Sequence, residues 1–354
     1  MRRLLEWFGE NARDLPWRRT RDPYAVWISE IMLQQTRANT AAAYWQRWMQ
    51  ALPDVRAFAR ASPAQAHKLW EGLGYYARVR NAHAAARVMV EKHGGEFPKN
   101  YAEALALPGV GRYTAGAVCS IAFNQPTAAL DGNVMRVLSR LYGVAGDPRE
   151  KQANQRLWQL AEELVAIAGG RGAAGRNCGR LNEALMELGA LLCTPKQPRC
   201  AACPLQRICF ARRESRQGEF PMLKPSGKTS RRRFAAFIVK KDGRFLARQR
   251  PPGGVNAHLW EFPNVEIAPD ENHPPAAAAA PFVLTGTQPF WRARHSITRH
   301  RILLEAWRAQ WPGRPGKGPG PGVWRTPAQL ERLAFTGAHR KILAALRDEA
   351  KPDG

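Results

Sequence analysis

Over the first 220 residues, apolar side chains recur at three- and four-residue intervals, most clearly in segments 70–91, 154–166 and 181–192. That spacing predicts amphipathic helices separated by short Pro/Gly breaks. Asp22-Pro23-Tyr24 and Ser62-Pro63-Ala64-Gln65 read as helix starts, with a capping side chain followed by proline at the first helical position. No strand alternation interrupts this half, so the expectation is an all-α domain. Beyond about residue 215 the pattern changes. A polar stretch, 218–233, ends in Arg231-Arg232-Arg233, and alternating segments 234–240 and 244–250 then flank Asp242-Gly243, a hairpin signal. Strands are expected at 282–285 and 302–307, loops at 274–281 and 312–322, and a closing helix at 338–348. The division is therefore 1–215 (all-α), 216–233 (linker) and 234–350 (α+β).

Composition narrows the class. Of 354 residues, 45% are apolar, which is enough to build a core in each domain. No apolar run approaches the roughly 20 residues that span a bilayer. The start, Met1-Arg2-Arg3-Leu4-Leu5-Glu6, has its acid too early for a signal peptide. A soluble, cytoplasmic chain is expected, with no membrane partner. The net charge is +25, with 42 Arg against 12 Lys. A polyanion is the default partner for such a chain, and arginine favours forked bonds to phosphate. A compositional arginine bias accounts for the same numbers, and both halves are basic. Charge thus names a class of partner and no reaction.

Four of the six cysteines, Cys193, Cys200, Cys203 and Cys209, fall in a C-x6-C-x2-C-x5-C pattern. Four thiolates this close in sequence suit tetrahedral zinc or an iron–sulfur cluster. Chemistry alone leans to zinc, although the uneven spacing lacks the paired knuckles of most zinc folds. Lys196, Arg199, Arg207, Arg212 and Arg213 make the same segment basic.

Three further features carry chemistry. Leu107-Pro108-Gly109-Val110-Gly111-Arg112-Tyr113-Thr114 joins two helical segments, and Gly109 and Gly111 permit close backbone approach where a helix opens with free amides. That arrangement suits a phosphate; a plain interhelical turn is the alternative. Asp131 stands between an apolar stretch and a new helix, which is also what a simple N-cap looks like. Glu30 lies in Ile28-Ser29-Glu30-Ile31-Met32-Leu33, where little polar face is left to solvate it. A carboxyl so placed has its proton affinity raised, as a general acid requires.

Together these residues resemble the helix-hairpin-helix DNA glycosylases that carry a four-iron, four-sulfur cluster. Within that superfamily, Leu15-Pro16-Trp17-Arg18, segment 27–36, Gly72-Leu73-Gly74-Tyr75-Tyr76-Ala77-Arg78 and Leu130-Asp131-Gly132-Asn133-Val134 are similar to the adenine DNA glycosylases of the MutY family. The resemblance covers nearly all of 1–215 and, more loosely, 230–350. It implies an all-α helix-hairpin-helix glycosylase domain with an iron–sulfur loop, followed by an α+β Nudix-like domain. It implies one [4Fe-4S] cluster on the four cysteines, and a monomer that removes adenine mispaired with 8-oxoguanine or guanine from double-stranded DNA of the nucleoid. Glu30 would protonate the adenine at N7, and Asp131 would face the sugar cation. Tyr113 would support Asp131, and Asn133 would position the acid or the water. Gly109 and Gly111 would hold the backbone of the DNA, Gln34, Gln35 and Tyr75 would enter or border the stack, and Arg18 would lie near the adenine pocket.

Bifunctional relatives that also cut the strand carry a lysine after the hairpin arginine. Here that residue is Tyr113, and Met135 replaces a lysine sometimes found after the aspartate, so a monofunctional enzyme is expected. In the second domain, Leu259-Trp260-Glu261-Phe262-Pro263 is similar to the strand before a Nudix box, but no Arg-Glu-x2-Glu-Glu cluster follows. Metal-dependent pyrophosphate cleavage is not expected. His295-Ser296-Ile297-Thr298-Arg299-His300 resembles the loop that reads 8-oxoguanine, with Thr298 in place of serine. The competing readings are a glycosylase/lyase for oxidised pyrimidines and a non-catalytic DNA-binding protein.

Overall fold

The computed structural model describes residues 1–170, 177–225, 229–268, 271, 273–279, 281–297, 299–312 and 322–349. Two compact units form: Met1–Ala61 with Arg80–Pro225, and Ser62–Val79 with Ser226–Gly354. The second unit thus takes in a segment from inside the expected first domain.

The first unit is helical among its described residues. Its Pro23–Leu33 helix starts where the Asp22 carboxylate accepts bonds from the Tyr24 and Ala25 amides, with proline at the first turn. Every residue from Tyr24 to Met32 is buried, so this helix is interior on all sides and Glu30 has no wet face. The Arg112–Phe123 helix packs against the extended stretch that leads to Asp131. Gly116 makes that approach possible, since a Cβ there would lie 1.9 Å from the Ala128 carbonyl oxygen. Buried Asn182 spans the gap, its amide nitrogen donating to the Ser120 hydroxyl (2.8 Å) and the Thr127 carbonyl (2.9 Å). The Gly132–Tyr142 helix then opens under the Asp131 cap and closes at Gly143, whose φ of +66° is left-handed. Its inner face, Val134, Val137, Leu138 and Leu141, joins Leu157, Ala184 and Leu188 in the core.

The second unit is built on a mixed sheet of eight described strands. Ser230–Lys241 runs parallel to His300–Gln310 and antiparallel to both Arg244–Gln249 and Asn264–Ile267. The expected hairpin is present, with Asp242 (φ +48°) and Gly243 (φ +71°) at its turn. Both left-handed angles match the turn type that follows strand twist. Trp291–Ile297 lies antiparallel to His300–Gln310. Alternation splits the core: Ala236, Ile238 and Leu304 meet Ile342 and Leu343 of the closing Gly337–Glu349 helix, whereas Phe237, Val239 and Trp307 cluster with Leu246 and Ile267.

Several expectations shift. The helix anticipated over 70–91 is broken: Pro63–Trp70 ends, Ala77–Lys92 begins, and Gly72 (φ +101°) and Gly74 (φ +73°) turn the chain between them. The first strand starts at Ser230, inside the stretch assigned to the linker. Arg232 and Arg233 are strand residues paired with Glu266 and Glu305, not free linker cations. The linker's beginning is also tied down. Phe220 is buried with its carbonyl accepting from Arg140, and the Lys224 amide donates to Asp147. Ala276–Ala279 forms one short helical turn within an expected loop. Most of the loop expected at 312–322 lies outside the described residues.

Candidate active site

The first unit contains a cavity of about 1120 Å³ lined by Glu30, Tyr113, Asp131 and Asn133, together with Arg18, Gln34 and Gln35. Residues more than a hundred positions apart in sequence therefore share one pocket. Glu30 is only 4% exposed. Burial pushes its carboxyl up to about 7; the Tyr113 hydroxyl opposes this, while the nearby Asp131 and Glu183 charges add to it. Tyr113 donates to Glu30 Oε2 at 2.5 Å. The first turn of the Arg112–Phe123 helix thus delivers the phenol to the glutamate, with the Asp131 carboxylate also near enough to act on it. Burial and the Glu30 charge hold the phenol well above its ordinary range, so it remains a donor.

Asp131 both caps the Gly132–Tyr142 helix and lines the cavity. Its Oδ1 accepts from the Val134 amide at 2.7 Å, and its Oδ2 accepts from the Asn133 side chain at 2.8 Å. Burial raises its proton affinity, and these two donors pull it back. Asn133 in turn accepts from Arg136, whose other bonds go to the Gly132, Gly189 and Cys193 carbonyls. Asn133 thus positions the aspartate. Gly189 lets it do so, because a Cβ at that position would lie 2.7 Å from Asn133 Cβ.

Gln34 donates to Thr114 at 3.4 Å, and Gln35, at the cavity wall, has a left-handed φ of +60°. Gly109 has a φ of +73°; Gly111 is extended and caps the Arg112–Phe123 helix, with open space where a Cβ would stand. Arg112 stacks over Trp158 and pairs with Glu162. Tyr75 belongs to the second unit and is 52% exposed. Thr298 lies outside the described residues; the strand before it ends at Ile297, which pairs with His300.

Sequence reasoning passed over Arg13, Glu183 and Glu187, all of which line the cavity. Glu187 binds Arg13 and Arg18 through both oxygens, at 2.7 to 3.1 Å, which fixes Arg18 at the pocket wall. Glu183 pairs with Arg21. The signal that singled out Glu30, an acid within an apolar helix, is present here too: Glu183 and Glu187 stand one turn apart in Cys178–Leu191. Burial would raise the Glu187 carboxyl, but the bonds from Arg13 and Arg18 override it and hold it at about 2. The stabilisation from this depressed value is complete above the unfolded value of 4.5 and is lost as pH falls toward about 2. Glu187→Gln is therefore expected to lose about 3 kcal/mol at neutral pH. In denaturant titrations its deficit against wild type should shrink as the pH is lowered through that window. A deficit that is constant with pH would show that the ion pairs contribute nothing.

The four clustered cysteines form no disulfide. Cys193 follows the Cys178–Leu191 helix, and Cys209 precedes the Phe210–Arg213 turn. Burial pushes the Cys203 thiol up to about 11, and Cys193, Cys209 and Cys200 are close enough to raise it further. Arg140 donates to Cys193 Sγ at 3.4 Å and to the Thr194 carbonyl at 2.7 Å. Among the described residues, no three His, Cys, Asp or Glu side chains converge on a position for a single metal ion. The four thiols nevertheless lie close to one another in this loop, as the donor set of one metal centre would. No helix of the described residues is long and apolar enough to cross a membrane.

Residues 28–163 match the profile of the HhH-GPD superfamily of base excision DNA repair proteins, and residues 234–345 match a NUDIX domain. The chain is 34% identical over 412 residues to the adenine DNA glycosylase of Rattus norvegicus, covering 99% of this chain and 78% of that protein. Against the adenine DNA glycosylase of Homo sapiens it is 35% identical over 404 residues, covering 96% and 72%. A solved thermostable thymine-DNA glycosylase superposes with a TM-score of 0.53 at 31% identity, over 60% of this chain and 94% of that one. Identity of 34–35% along more than two thirds of both adenine DNA glycosylases, with the HhH-GPD and NUDIX matches in succession, places this chain in the adenine DNA glycosylase family.

Proposed function

We propose that this protein hydrolyses the N-glycosidic bond of adenine mispaired with 8-oxoguanine or guanine in double-stranded DNA, and leaves an abasic site without cutting the strand. The observation that carries this reading is the carboxyl pair in one cavity. Glu30 keeps a proton near neutral pH, and Asp131 is held as a cap with donors on both oxygens. A base inside the stack is out of reach, so the adenine must first be extruded into the cavity. Protonated Glu30, steadied by Tyr113, passes its proton to N7 of the ring. The C1′–N9 bond then breaks with its electron pair leaving on the base, and the sugar becomes cationic. The Asp131 carboxylate stabilises that cation until water adds to C1′ and its proton restores the Glu30 carboxyl, so that the products are adenine and an abasic sugar. Asn133 positions Asp131, and the Glu187 clamp places Arg18 beside the base.

No lysine is among the described residues lining the cavity, which supports hydrolysis over amine attack on the sugar. Gly109 and Gly111 offer backbone amides to a phosphate. Gln34, Gln35 and Tyr75 are assigned to the duplex around the extruded base, and Thr298 to the 8-oxoguanine opposite it. The cysteine loop is assigned one [4Fe-4S] cluster on Cys193, Cys200, Cys203 and Cys209. When bound, it would supply iron–thiolate bonds that hold the loop's fold. We further propose action as a monomer in the nucleoid-containing cytoplasm.

The test is one panel of duplexes holding adenine opposite 8-oxoguanine, adenine opposite guanine, or thymine glycol. Base release is expected from the first two only, with no strand nicking and no adduct trapped by borohydride. Release confined to thymine glycol, with trapping, would replace this assignment by the lyase reading. Binding without release from any of the three would favour a non-catalytic role.

A further inference from the structure

Tyr75 stands on a turn whose shape is set locally. Its own φ of +48° is left-handed, a strained setting for an aromatic residue, and Gly72 and Gly74 flank it. The Trp70 indole donates to the Gly74 carbonyl (3.1 Å), the Gly72 amide donates to the Tyr76 hydroxyl (3.0 Å), and Arg78 donates to the Leu73 and Gly74 carbonyls. The Arg78 guanidinium also sits 5.7 Å from the Tyr75 ring centre. These bonds close the turn on itself.

Glu71, the residue just before the turn, makes the remote connection. Its Oε1 accepts from the Phe335 amide at 2.7 Å, and its Oε2 accepts from Lys68 Nζ at 2.7 Å, with Arg340 Nε at 3.7 Å. Lys68 also donates to the Leu333 carbonyl at 3.1 Å. The 333–336 stretch is itself locked into the C-terminal fold: the Trp260 amide donates to the Ala334 carbonyl, and the Thr336 amide to the Trp260 carbonyl. The Glu71 side chain is 12% exposed, so these charge-assisted bonds are only weakly screened. A chain segment 264 residues away in sequence thus bears on the turn through the Glu71 carboxylate, with Lys68 bonded both to it and to the same segment.

We propose that Glu71 is a positioning residue for Tyr75: it fastens the turn to the C-terminal fold, and engagement of the duplex by Tyr75 depends on that fastening. The proposal rests on the assignment of Tyr75 to the duplex made above.

The test measures binding of the full-length protein to a duplex with a non-cleavable 2′-fluoro-adenosine opposite 8-oxoguanine, with 2-aminopurine beside the mispair reporting unstacking. Glu71→Ala is expected to weaken binding on the order of five-fold and to reduce the 2-aminopurine signal. Glu71→Gln, which keeps an acceptor for the Phe335 amide, should recover most of both. Added to Tyr75→Ala, Glu71→Ala should cost nothing further, because its effect runs through that ring. Should Glu71→Ala fold poorly by thermal melting, Lys68→Met removes only the flanking bonds and should shift binding and fluorescence the same way by less. Losses that multiply in the double variant would overturn the proposal, as would a Glu71→Ala protein that binds and unstacks like wild type while Tyr75→Ala does not. Wild-type binding by Tyr75→Ala itself would instead overturn the assignment of Tyr75, and this proposal with it.

Discussion

Glu30→Gln is expected to lower adenine release by about a thousand-fold or more while leaving duplex binding near wild type, because a positioned general acid contributes roughly two to four orders of magnitude. The amide is isosteric and uncharged, so the interior site that tolerates a protonated carboxyl tolerates it too. What it lacks is a proton to give. Single-turnover excision assays and binding to the non-cleavable duplex separate the two effects, and retained excision would remove Glu30 from the acid role. The pH profile carries the same argument. Burial holds the Glu30 proton to about pH 7, so release should fall as pH rises through that value. The Tyr113 bond works against burial by favouring the carboxylate. Tyr113→Phe should therefore move the basic limb to higher pH; a limb that moves down or stays put would mean that the phenol does not act on Glu30.

Asp131→Asn is expected to abolish turnover to a similar degree at a smaller cost in stability than Asp131→Ala. Asparagine caps a helix about as well as aspartate, so the bond from the Val134 amide survives, while the bond from the Asn133 side chain is lost because the new amide nitrogen is itself a donor. Asp131→Ala should lose that cap as well, at about 1 kcal/mol. The charge facing the sugar disappears in both. Thermal melts set beside excision rates divide the two roles: an active Asp131→Asn protein would mean that this residue is a cap and nothing more. The comparison is possible because the cap bond is accepted by Oδ1 alone, while Oδ2 takes the Asn133 side chain.

Much of this was legible in sequence for local reasons. The Asp22 and Ser62 caps, the Asp242-Gly243 hairpin and the helical periods are decided within a few residues, by side chains that bond their own backbone or by permitted dihedrals. Glu30 stood out because its neighbours leave it no wet face. Glu183 and Glu187 carried the same mark and were passed over, since no single motif surrounds them. The helix predicted through 70–91 failed because apolar periodicity continues across Gly72 and Gly74, where the backbone is free to turn.

The charge is where tertiary structure altered the picture most. The arginine count pointed to a polyanion, and several of those arginines are spent inside the protein. Arg13 and Arg18 hold Glu187, Arg140 holds the Phe220 and Thr194 carbonyls, and Arg233 holds Glu305. A guanidinium's five donors satisfy buried acceptors as readily as phosphates, and a sequence does not say which.

By itself, then, the sequence determined which residue types were available for chemistry and which segments were helix or strand, because both depend on interactions within a few residues. Only the tertiary structure decided that the Tyr113 phenol serves Glu30, that Asn133 serves Asp131, that Glu187 clamps two arginines, and that the Tyr75 turn is fastened to residues 333–335. Each of those depends on a bond of about 3 Å between groups far apart in the chain. Such a bond exists only once packing has brought the groups together, and no local pattern encodes its direction.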